Sequence, residues 1–194
     1  MKKLWSLLFI SGVMAMSAEA KIILKKVEYK ISDKVFEGVL AMDSALKGKK
    51  PGVVVFHNWM GITAETESKI TELAKLGYVA LAGDIYGKGI RPKDSKEAGE
   101  LAGKYKNDRK LLREHVTAAL LELEKNSNVD SQKLFASGYC FGGTAALELA
   151  RSGAPLIESR SPSAVRVTTT IHGCARPATM LRSRTSADAW CASG

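Results

Sequence analysis

The stretch Gly52-Val53-Val54-Val55-Phe56 constrains this chain more than any other. A run that is apolar at every position cannot alternate between a core and water. It needs cover on both faces, the setting of a central strand in a parallel sheet. Tyr78-Val79-Ala80-Leu81-Ala82 is a second such run. Between the two, helical periodicity from Ala64 to Leu76 (Ile70, Leu73, Ala74) stops at Gly77, the expected C-terminal glycine. A helical region over Ser95 to Lys125, expected to be interrupted, puts Leu111, Leu112, His115, Ala118, Ala119 and Leu123 on an apolar face. After a turn at Asn126 to Ser131, Leu134 to Ser137 reads as a third short strand, followed by a helix to about Arg151. Ile22 to Tyr29 and Val35 to Met42, around Ser32-Asp33-Lys34, read as a hairpin at a sheet edge. Strands alternating with helices predict an α/β fold, a mostly parallel sheet with helices on both faces and right-handed crossovers.

The 194 residues suit one domain. Met1-Lys2-Lys3, the apolar stretch Leu4 to Met16 and Ala18-Glu19-Ala20 read as a secretory signal peptide over residues 1–20. A periplasmic or secreted chain from Lys21 is expected, with no membrane attachment after cleavage. The net charge of +9 comes from lysines scattered among glutamates, as in Lys96-Glu97 and Lys69 with Glu72. That pattern reads as a solvated surface and not as a nucleic-acid footprint. Composition changes near Leu156: 20 lysines and four arginines precede it, none and five follow. Residues 157–194 are therefore read as an atypical tail, either disordered or translated in another frame, with the second preferred. Only Ala164-Val165 and Val167 to Ile171 hint at strand there. Three cysteines, Cys140, Cys174 and Cys191, leave at least one thiol unpaired within the chain.

The chemistry gathers at Gly138-Tyr139-Cys140-Phe141-Gly142-Gly143, between the third strand and its helix. G-x-C-x-G is the thiol version of a nucleophile elbow, whose bend demands neighbours without side chains two residues away on either side. The bland alternative is a small cysteine at a tight packing point. In the first reading the following helix points its N-terminus at Cys140, where negative charge is favoured. The backbone N–H of Phe141 then serves one half of an oxyanion hole, and the loop at Asn58, after the first central strand, serves the other. Trp59, Tyr86 and Lys88 are candidate pocket residues; Lys88 is a candidate for an anionic substrate group, though an exposed loop lysine is the commoner fate. His57 reads as structural, and His115 as a surface or groove residue.

With "VVVFHNWMG", "GYVALAGDIYGKG" and "GYCFGGTAALELA" in this order, the chain resembles the dienelactone hydrolase family of α/β-hydrolases over about residues 27–156. The resemblance implies hydrolysis of an ester or lactone through a Cys-Asp-His triad with Cys140 as nucleophile. It implies a small-molecule substrate and no metal or other cofactor; no feature fixes an oligomeric state. Asn58 stands where well-studied members carry a glutamate, and Lys88 where they carry an arginine. After Cys140 the chain has only His172 and Asp188, in the reverse of the family order, and neither is expected to take part. The later strands are expected to be missing, with the strand before the elbow left at an open edge, so poor folding and impaired activity are expected. The alternative is an inactive fragment or a protein that binds small molecules without turnover.

Overall fold

The computed structural model describes residues 21–45 and 47–153, and the backbone of 166–170. The expected leader lies outside the described residues, as do Cys174, Cys191, His172, Asp188 and most of the tail. One six-stranded sheet is built from β1 (Ile22–Ile31), β2 (Lys34–Asp43), β3 (Lys50–Phe56), β4 (Val79–Gly83), β5 (Val129–Tyr139) and β6 (Arg166–Thr170). Its order is β1-β2-β4-β3-β5-β6. The hairpin β1–β2 is antiparallel and meets β4 antiparallel, while β4, β3, β5 and β6 run parallel.

β3 fills the place its sequence demanded. Val54 packs into one apolar cluster, Val53 and Val55 into another on the opposite face. One face is covered by α1 (Ala64–Lys75), through Ile70 and Ala74. The other is covered by α2 (Ser95–Asn107), α3 (Arg109–Glu124) and α4 (Phe141–Arg151). The expected interruption falls at Asp108, which ends α2 and caps α3 by accepting from the Leu111 N–H at 2.9 Å. Glu148 of α4, 2% exposed, binds Arg109 (2.5 Å) and Arg113 (2.8 Å) of α3 and Arg151 (3.0 Å) of its own helix.

One expectation changes at the sheet edge. β5 is not left open: β6 pairs along it from Phe135↔Arg166 to Tyr139↔Thr170. The strand comes from the part of the tail in which Val167 to Ile171 hinted at one. Among the described residues no helix is long and apolar enough to cross a membrane.

Candidate active site

β3, β4 and β5 all end on one side of the sheet, and the loops that follow them meet there, where open parallel sheets hold their ligands. β5 ends at Tyr139 and α4 begins at Phe141, so the whole reversal falls on Cys140, at φ 53° and ψ −115°. A side chain there is strained, and the neighbours explain why it is held. A Cβ on Gly138 would lie 2.1 Å from the Gly142 carbonyl oxygen, and one on Gly142 would lie 2.2 Å from that of Phe56. The chain thus doubles back on itself while the first turn of α4 presses on the end of β3. The Cys140 carbonyl accepts from Gly143 N–H (3.0 Å) and Thr144 N–H (3.4 Å), and its thiol is free and exposed.

The loop after β3 is fixed by His57, which is 1% exposed. Its Nδ1 lies 2.6 Å from the Asn58 carbonyl oxygen, and its Nε2 lies 3.2 Å from the Ile85 backbone N. A carbonyl can only accept and an N–H can only donate, so the ring carries its proton on Nδ1 and is neutral. Burial pulls its pKa down to about 4, against the bond to Asn58, which raises it. The Asn58 carbonyl also accepts from Gly61 N–H (3.3 Å), and the Asn58 side chain accepts from Met60 N–H (2.8 Å). With the Asn58 carbonyl turned inward and no cis peptide among the described residues, the Trp59 N–H points the opposite way. It has no acceptor among the described residues. Trp59 is 39% exposed, and its carbonyl accepts from the Tyr86 hydroxyl at 2.9 Å.

Asp84, fully buried, shapes the loop after β4. One carboxylate oxygen accepts from the N–H groups of Tyr86 (3.1 Å) and Gly87 (3.3 Å), the other from Glu37 N–H of β2 (3.2 Å). The Tyr29 hydroxyl donates to its carbonyl at 2.7 Å. Tyr86 stacks on Phe141, with ring centroids 5.8 Å apart, and on Tyr105 at 5.6 Å. Burial, then Tyr105, then the adjacent Cys140 raise the Tyr86 pKa well above the usual phenol range, so its hydroxyl remains a donor.

The structure therefore brings Cys140, Phe141, Trp59, Tyr86 and the backbone of Asn58 together. The Asn58 side chain turns toward α1, where its amide donates to Glu65 at 3.4 Å. Lys88 stands apart: its N–H bonds to the Val35 carbonyl (2.9 Å), and its ammonium to Glu28 of β1 (2.5 Å). His115 corrects the sequence reading. It is no surface or groove residue but 2% exposed, bonded through Nδ1 to the Ile85 carbonyl at 2.7 Å and edge-on to Phe36. Its place on the apolar stripe of α3 was the available signal. The backbone of Ile85 is gripped by both histidines, its N–H by His57 and its C=O by His115. A concavity of about 460 Å³ near Leu40, Met42 and Leu123 contains neither histidine nor cysteine.

Comparison with known proteins bears on the fold and the family. The model of the dienelactone hydrolase family matches residues 36–160. A Bradyrhizobium protein described as a probable 2-oxo-3-(5-oxofuran-2-ylidene)propanoate lactonase is 37% identical over 108 residues, 55% of this chain and 43% of that one. The solved structure of m3DLH is 36% identical with a TM-score of 0.69, over 76% of this chain and 58% of that one. A dienelactone hydrolase-like promiscuous phosphotriesterase from metagenomic libraries is 32% identical with a TM-score of 0.67, over 77% and 58%. The chain thus spans about half the length of these relatives.

Proposed function

The chain belongs to the dienelactone hydrolase family, and from that premise we propose that it is an ester or lactone hydrolase whose nucleophile is Cys140. The observation that carries the proposal is the backbone of Cys140, bent to φ 53° at a strand–helix junction with its thiol exposed. A packing cysteine would need neither the bend nor the exposure.

In the proposed reaction the Cys140 sulfur, having given up its proton, forms a bond to the acyl carbon. The N–H groups of Phe141 and Trp59 hold the resulting oxyanion. The C–O bond then breaks and the alkoxide leaves with a proton. Water adds to the thioester, and the carboxylic acid departs as the thiol is restored. The Trp59 amide takes the role that sequence reading gave to the region of Asn58, because the His57 bond turns the Asn58 carbonyl away. His57 and Tyr86 act as positioning residues, each fixing one carbonyl of this loop.

A second reading, binding with little turnover, is favoured by the histidines. Both ring nitrogens of His57 are committed to backbone groups, and His115 is buried against Ile85. Neither is available to take the thiol's proton. We therefore propose slow hydrolysis for this chain, since loss of a triad partner costs several powers of ten on related machinery. Hydrolysis of p-nitrophenyl acetate by the purified chain should be weak yet lost in Cys140→Ala; equal rates for the two proteins would remove the nucleophile.

Two proposals concern residues outside those described. Export directed by residues 1–20 predicts a mature N-terminus at Lys21, checked by N-terminal sequencing of the exported protein. A change of frame near Leu156 predicts an aspartate and then a histidine, each after an apolar strand, in another frame of the gene read on from the codon for Pro155; stop codons throughout both other frames would defeat it.

A further inference from the structure

Three cations near the elbow, Lys88, Arg91 and Lys69, are already matched. Lys88 is held by Glu28 of β1, and β1 is four strands from β5 in the sheet, roughly 19 Å at about 4.8 Å per strand. Arg91 runs past Gly61; its Nη1 donates to the Ile90 carbonyl at 2.7 Å and lies 3.8 Å from the buried carboxylate of Asp84. On α1, Lys69 lies 6.0 Å from the Tyr139 ring centroid and 3.7 Å from Glu72, with Glu65 a turn earlier beside Asn58.

The loop after β3 exposes an apolar side chain instead. Trp59 is 39% exposed. Single exposed apolar residues are ordinary, but the Trp59 carbonyl is bonded to the Tyr86 hydroxyl, and the Tyr86 ring stacks on Phe141, next to Cys140. A substrate carboxylate brought here loses water and finds Lys69, Lys88 and Arg91 already matched, which is unfavourable. An apolar group loses only water it is better without.

Resting on the reading of Cys140 as nucleophile, we infer that the site takes esters with an uncharged, apolar acyl group and turns away acyl groups that carry a carboxylate. Alkylation tests this without any demand on the rest of the hydrolytic machinery. The full chain is treated with iodoacetate, iodoacetamide and N-phenyliodoacetamide at 0.15 M salt, and modification of the Cys140 peptide is followed by mass spectrometry. Each rate is divided by that of N-acetylcysteine amide with the same reagent.

The expected order is N-phenyliodoacetamide, then iodoacetamide, then iodoacetate. Lys88→Gln should shift no ratio by more than about twofold, because a charge beyond the ~8 Å screening length is weakly felt. Preference for iodoacetate that falls in Lys88→Gln or Arg91→Gln would overturn the inference while leaving the nucleophile in place, as would equal normalised rates. A Cys140 that none of the reagents modifies would overturn both.

Discussion

Gly142 has no room for a side chain, since an added Cβ would stand 2.2 Å from the Phe56 carbonyl oxygen and 2.7 Å from that of His57. Both obstacles are backbone, so neither can rotate away. Gly142→Ala should therefore cost about 3 kcal/mol, read as a lower urea midpoint, and should push α4 off the end of β3. This part of the site was legible in the sequence, because an elbow demands glycine at fixed offsets from its nucleophile. The inward turn of the Asn58 carbonyl was not. It depends on a histidine tautomer set by Ile85, 28 residues away, and no local pattern encodes that bond. Lys88 was read from its loop position and from the family arginine it replaces, and its partner Glu28 is 60 residues distant.

Among the elements, α3 and α4 are joined by one buried carboxylate. Glu148 meets two arginines of α3 and one of α4. Burial alone would raise its pKa, but the bonds to Arg113, Arg151 and Arg109 outweigh this and lower it. Glu148→Gln keeps the shape and removes the charge; an expected loss of about 2 kcal/mol, typical of hydrogen bonds to a charged group, would appear in denaturant unfolding. Loss confined to within experimental error would mean that apolar packing holds the two helices unaided. The helices themselves were legible from periodicity and from their stops at Gly77 and Asn126. β5 was read as Leu134 to Ser137 but extends from Val129 to Tyr139, because pairing with β3 and β6 carries it beyond its apolar stretch. β6 was only a hint, since Arg166-Val167-Thr168-Thr169-Thr170 has none of the continuous apolar character of β3.

For the molecule as a whole, the two buried histidines set a dependence on acidity. The folded state holds His57 neutral down to about pH 4, whereas an unfolded histidine takes up a proton near pH 6.5. Between those values the unfolded chain binds more protons, so stability is full above about pH 6.5 and falls as the solution is acidified. The expected loss at pH 5 is about 2 kcal/mol from His57. His115, lowered chiefly by its burial, adds in the same sense. Urea midpoints at pH 7.5, 6 and 5 should fall in that order. A flat profile would mean that protonated His57 finds an acceptor in the folded protein.

Ile85 gives its backbone proton to a ring nitrogen where most strand ends use a carbonyl. That choice leaves a single amide answerable to the charge of one imidazole. A second proton on His57 sets N–H against N–H, and the Ile85 amide is then released to exchange with deuterated solvent. The peptide that anchors the crevice floor is in this way also a built-in gauge of whether its clamp has closed.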